Sequence, residues 1–262
     1  MVSKKQLDFG TSVPNCTNAQ HRRIADAGNI TICNSSAAKS DLLGQIAIAF
    51  QKEPSVARIF HGERRIHQGG RGRRTALFPS RKCGGSVPLE SRLELAHAVL
   101  LERSPTVLEY RTQAIQIPLP GGRYAYPDFL IRTTDGNFEV HEVKPSIEHL
   151  VLADTQRFAT IRTLLLNEGV GFRLVDNNSL PSGRALDELL FCYSRGHVQS
   201  YTRAQIDLAE SALSGEHLAS FSEAYKVLQE HDLPAQLADY LNFHQQWKFA
   251  PHDNSLCSRG GV

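Results

Sequence analysis

The 262-residue sequence has no apolar run approaching the ~18 residues of a membrane-spanning helix, and its first residues, MVSKKQLDFG, lack the apolar core of a secretion signal. Membrane insertion and secretion are therefore not expected. There is no C-x-x-C pair. The five cysteines (Cys16, Cys33, Cys83, Cys192 and Cys257) are odd in number and widely spaced, which fits a reducing, cytoplasmic setting and excludes a cysteine-built zinc site. The phosphate loop G-x-x-x-x-G-K-[ST], the dinucleotide fingerprint G-x-G-x-x-G, the zinc-protease H-E-x-x-H and the serine-hydrolase G-x-S-x-G are all missing. Repeats and low-complexity tracts are missing too. The single tryptophan, Trp247, is expected to pack a C-terminal core rather than stack on a base.

What the sequence does have is basic charge at one end. Residues 1–85 carry 14 Lys and Arg against 5 Asp and Glu, a balance of +9, whereas residues 86–194 and 195–262 stand at −4 and −3. Arginine outnumbers lysine 21 to 8, and its planar fork suits phosphate oxygens. Such an asymmetry points to a nucleic acid or another polyanion. The densest basic stretch, residues 58–85 with ERRIHQGGRGRR at its centre, reads as a DNA-contacting arm whose candidates are Arg64, Arg65, Arg71, Arg73, Arg74, Arg81 and Lys82. Residues 1–57 read as an irregular extension containing one short helix, 41–52, before Pro54.

Periodicity places an α/β unit at 86–183. A helix is expected over 86–105, with Ser86 as N-cap, Pro88 in the first turn, Pro105 as the stop, and Leu89, Leu93, Ala96 and Leu100 along one face. Three strands follow, over 107–119, 123–133 and 138–145, with turns at Pro120-Gly121-Gly122 and Asp135-Gly136. A long amphipathic helix ends at Gly169, and a short strand closes the unit at 171–177. Residues 184–262 read as short amphipathic helices with a hairpin-like wing over 245–256, an arrangement reminiscent of a winged helix and, at −3, suited to docking protein.

The chemistry-bearing constellation is Tyr126-Pro127-Asp128 followed by Glu142-Val143-Lys144 across the Asp-Gly turn. Residues i and i+2 of a strand share a face, so Glu142 and Lys144 project together, with Asp128 beside them on the hairpin partner. His141 points to the opposite face and reads as structural. Glu94, on the helix flank with His97 and Leu101, adds a third carboxylate. Clustered carboxylates without Cys or paired His suit a hard cation, Mg²⁺ or Mn²⁺, as one ion or two. The D…ExK pattern by itself is short, and an exposed strand ion pair would account for Glu142 and Lys144 equally well.

Two longer blocks carry a specific likeness: SRLELAHAVLLERSPTVLEYRTQ at 91–113 and YPDFLIRTTDGNFEVHEVKP at 126–145, with the GRGR segment upstream. The sequence resembles the TnsA endonuclease subunits of heteromeric bacterial transposases, members of the PD-(D/E)xK restriction-endonuclease-like superfamily. The likeness covers roughly residues 60–180. It implies a Mg²⁺-dependent nuclease that cuts the 5′ strand at transposon ends. Its implied partners are double-stranded DNA, a DDE transposase of the TnsB type and an AAA+ regulator of the TnsC type, on the nucleoid of a bacterial cytoplasm. By motif position Glu94, Asp128 and Glu142 match the family's metal-holding acids, Lys144 its lysine, and Gln113 a glutamine that follows the first strand's arginine. The family has Glu or Gln at the position of Glu142. Two other readings share these residues: a stand-alone nuclease of the same superfamily, and an assembly module without catalysis.

Overall fold

The computed structural model describes residues 41–64, 75–214, 218 and 220–247. At its centre is a four-stranded sheet of β3 (Val107–Thr112), β6 (Phe129–Thr133), β7 (Phe138–Lys144) and β8 (Gly171–Asp176), in the order β3-β6-β7-β8. The first three run antiparallel, and β8 joins β7 in parallel after the crossover helix α3 (Leu152–Asn167). Alternation of side chains splits the sheet cleanly. Phe129, Ile131 and Val143 face a cluster built with α2 (Arg92–Arg103), while Leu130 and Val140 face α3 and α1 (Leu42–Gln51). Helices thus cover both faces of a mixed sheet, as its apolar two-sidedness requires.

The expected order of helix, three strands, helix and strand is present, with local corrections. The first helix begins at Arg92, because residues 85–89 pair as strand β2 (Gly85–Leu89) with β1 (Ala76–Ser80). The N-cap is Ser91, whose hydroxyl accepts the Glu94 N–H at 3.1 Å, in place of Ser86. Nor is the apolar face the Leu89/Leu93/Ala96/Leu100 stripe. The sheet covers one side of α2 and the β1–β2 hairpin another, so Ala96, His97, Ala98, Val99 and Leu101 are buried while Leu93 and Leu100 are partly covered. The first expected strand breaks at Gln113, and its second half, β4 (Ile117–Leu119), pairs with β5 (Arg123–Ala125) across the Pro-Gly-Gly turn. The long helix starts at Leu152, and Gly169 ends it with φ +74°.

Residues 75–85 are part of the fold rather than an arm. Phe78, Cys83 and Val87 lie in the core beneath α2, as does Phe60. The helix within the N-terminal extension is also integral: Leu42, Ile46 and Ala49 pack against Ile117, Leu130 and Val140. It is fastened by Arg111, which lies over the Phe60 ring at 4.2 Å and the Phe50 ring at 5.4 Å and pairs with Glu109 at 3.2 Å.

The expected boundary at 183/184 is not a break in packing. Leu186, Cys192 and Tyr193 of α4 (Gly183–Gly196) and Phe243 of α7 (Leu237–Phe243) belong to the α2-side core. The remaining helices, α5 (Arg203–Ser214) and α6 (Phe221–Glu230), form a further cluster with α7, and Trp247 packs into it. Among the described residues no strand follows β8; residues 245–247 form a turn, and the rest of the expected wing lies outside the described residues. No described helix is long and apolar enough to cross a membrane.

α4 and α7 approach closely at Gly196. A Cβ there would stand 2.7 Å from the Tyr240 Cα and backbone nitrogen, which cannot turn away as a flexible side chain can. Gly196→Ala is expected to cost about 2 kcal/mol, lowering the thermal midpoint by about 4–8 °C. Urea and thermal unfolding followed by circular dichroism measure it; an unchanged midpoint would show that the helices separate without strain.

Candidate active-site cleft

One cleft of about 760 Å³ opens beside the start of β6 and the end of β7. Glu94, Asp128, Glu142 and Lys144 all line it. Arg64, Glu90, Tyr124, Tyr126, Arg157 and Phe158 supply much of the remaining wall.

Each acid is placed by a local device. Asp128 precedes β6, and its carboxylate accepts the Val143 N–H at 2.7 Å while its carbonyl accepts the Gln113 N–H at 3.1 Å. Glu142 and Lys144 share a face of β7 and are ion-paired at 2.8 Å, with the ammonium 5.7 Å from the Phe158 ring centre. The pair is therefore part of a walled cleft rather than an exposed strand pair: the two side chains retain 13% and 26% of their exposure. Glu94 stands in the first turn of α2, where the helix dipole favours a negative charge. It accepts from the Ser91 hydroxyl and the Glu90 N–H, both at 2.9 Å, in a variant of the capping box.

The electrostatics are strained. Burial, then Glu142, then Glu94 push the Asp128 carboxyl up to about 8, against the pull of the Val143 N–H and Lys144. Burial likewise raises Glu94, offset mainly by its two hydrogen bonds. In this form each acid is satisfied by a neighbouring donor, and among the described residues no three Asp, Glu, His or Cys side chains close into a ligand shell. The chemistry of the donor set still fits a hard divalent cation. Three carboxyl groups line one partly desolvated cleft, and burial first, then the charges of Glu142 and Glu94, favour the neutral form of Asp128; a bound cation would oppose all three.

The other expected residues separate. Arg64 is in the cleft wall; its Nε donates to Gln113 Oε1 at 3.0 Å and a terminal nitrogen is paired with Glu90. Gln113 is 1% exposed and stands behind Arg64, outside the lining. Arg65, Arg71, Arg73 and Arg74 lie outside the described residues. Arg81 is exposed and Lys82 half-buried, and both have partners within the chain. Arg81 is bonded to the His197 carbonyl, and the Lys82 ammonium to the carbonyls of Ser104 and Val107, where burial lowers its pKa. Both staple the β1–β2 hairpin to its neighbours. His141 does point away from Glu142, bonding His97 at 3.0 Å and Glu139 at 2.9 Å.

Arg157 and Tyr124 stand in the cleft wall without a sequence pattern that singles them out. Arg157 precedes Phe158 and Ile161 on α3, so the helical spacing of those apolar residues was the available signal for its approach to the cleft. No protein-family model matches the chain, and no curated protein matches its sequence.

The raised Asp128 pKa has a definite sign. Proton uptake by Asp128 favours the folded state fully below the unfolded carboxylate pKa of about 3.9, and this contribution is lost as pH rises toward 8. In EDTA, Asp128→Asn is therefore expected to raise the thermal midpoint by about 3–6 °C at pH 8.5 relative to the parent, with little difference at pH 4. Millimolar Mg²⁺ at pH 8.5 is expected to stabilise the parent and leave Asp128→Asn nearly unmoved. Scanning calorimetry reads both effects; equal Mg²⁺ responses would remove Asp128 from any cation site.

Proposed function

We propose that this chain is a metal-dependent DNA endonuclease with a restriction-endonuclease-like core, acting as the TnsA-type subunit of a heteromeric transposase. In this reading it cuts the 5′ strand at transposon ends, while a DDE transposase of the TnsB type cuts and joins the other strand under an AAA+ regulator of the TnsC type. The observation that carries the proposal is the meeting of Glu94, Asp128, Glu142 and Lys144 in one cleft, from three separate elements.

Asp128, raised by burial and by both other acids, would hold such a cation together with Glu94 and Glu142. Bound there, Mg²⁺ or Mn²⁺ supplies neutralising charge at the phosphate and a water of lowered pKa. Lys144 is tethered to Glu142, and its ammonium is available to orient the attacking water or to meet charge developing on a phosphate oxygen. Arg64 and Arg157 in the same wall offset the repulsion between the acids and an incoming DNA backbone. Sequence choice falls to the partner transposase, since no described helix of the C-terminal cluster carries a strongly basic face.

The test is Mg²⁺-dependent cleavage of supercoiled plasmid carrying the transposon ends by the chain alone, by the chain with its transposase, and by Asp128→Ala in each setting. Cleavage of the 5′ strand only with the partner, reduced at least about 10³-fold by Asp128→Ala, is the expected result. Equal cutting without the partner would replace the subunit reading with a stand-alone nuclease. No Asp128-dependent cutting in either setting would leave an assembly module.

A further inference from the structure

Arg64 is set into the cleft with unusual care. Its Nε is held by the side-chain oxygen of Gln113 at 3.0 Å, and Gln113 adopts φ +48°, a left-handed backbone uncommon for a residue with a Cβ. That conformation is fixed from both sides: the Gln113 N–H donates to the Asp128 carbonyl at 3.1 Å, and its carbonyl accepts the Glu63 N–H at 2.8 Å. Gly62 permits the approach, because a Cβ there would lie 2.5 Å from the carbonyl oxygens of Thr112 and Gln113. A strained, buried residue thus aims one arginine into the cavity that holds the acids.

One terminal nitrogen of the guanidinium is bonded to Glu90, itself in the cleft wall. The Arg64 side chain keeps 43% of its exposure and that of Glu90 18%, so this pair is solvent-screened and weak. A bidentate, charge-assisted phosphate contact is stronger than such a pair. A phosphodiester entering the cleft can therefore displace the carboxylate while Gln113 keeps the guanidinium in place.

We propose that Arg64 is the backbone-phosphate seat of this cleft, positioned by Gln113 and held by Glu90 until a DNA phosphate takes that carboxylate's place. The proposal rests on the nuclease reading above and adds to it the residue that registers the strand beside the acids. Glu90 then acts as a brake on binding.

Binding of a fluorescein-labelled duplex of about 30 base pairs, in EDTA and across a salt series, tests the seat without cleavage. Arg64→Ala is expected to weaken binding by about 5–20-fold and to lower the salt slope by about 1. Arg64→Lys should restore the slope and only part of the affinity, since an ammonium cannot hold Gln113 and a phosphate in one plane. Glu90→Gln should tighten binding by about 3–10-fold. Arg64→Ala binding with the parent's affinity and slope, or a parent chain that binds no duplex, would overturn the seat; an unchanged Glu90→Gln would overturn the exchange. If these binding effects appear while the plasmid assay shows no Asp128-dependent cutting, the nuclease reading fails and the seat stands. Asp128-dependent cutting with unaltered binding by the Arg64 variants fails the seat alone.

Discussion

Asp128 is the tie on which the cleft depends. Its carbonyl accepts from Gln113 at the end of β3, and its carboxylate accepts from the Val143 N–H of β7, so one residue fixes three strand ends relative to one another. The residues flanking Val143 are Glu142 and Lys144, and the hydrogen bond to their shared neighbour brings both side chains to the same opening. The left-handed turn of Gln113 starts from this tie as well, and through it the direction of Arg64. Positioning in this site is thus mostly main-chain work, which places side chains more firmly than long rotamers could.

That arrangement is held against electrostatic resistance. Burial beside an apolar wall raises both Glu94 and Asp128, and the larger effect falls on Asp128, pushed up to about 8 by burial and by its two neighbours. The surrounding core is what tolerates it. Val143, Phe129 and Ile131 beneath the cleft are fully or almost fully buried, and a folded sheet packed by helices on both faces supplies the rigidity that the acids spend.

The legible parts of the sequence were those governed by local rules. The Asp135-Gly136 turn and the two-residue period of β6 and β7 put Asp128, Glu142 and Lys144 together because the relevant contacts cross a single hairpin. The start of α2 was misplaced because Ser86 and Pro88 imitate a helix start, while the Ser91/Glu94 cap becomes decisive only once Val87 and Leu89 are drawn into a strand with β1. The basic composition of 58–85 hides the apolar Phe60, Phe78 and Cys83 that anchor it. Charge alone does not reveal the carbonyl partners of Arg81 and Lys82, which are distant in sequence, at His197, Ser104 and Val107. Arg157 was missed for the same reason: its place depends on how α3 crosses the sheet.

The start of α2 joins the two halves of the cleft. The Glu90 backbone donates to the Glu94 carboxylate, and the Glu90 side chain pairs with Arg64. One residue therefore serves an acid of the cluster with its main chain and the basic wall with its side chain. A shift of the segment before α2 that loosened Glu90 from Arg64 would also withdraw a donor from Glu94, whose raised pKa is offset first by that same hydrogen bond. The acid centre and the arginine facing it are in this way two ends of one helix cap, and neither has a geometry independent of the other.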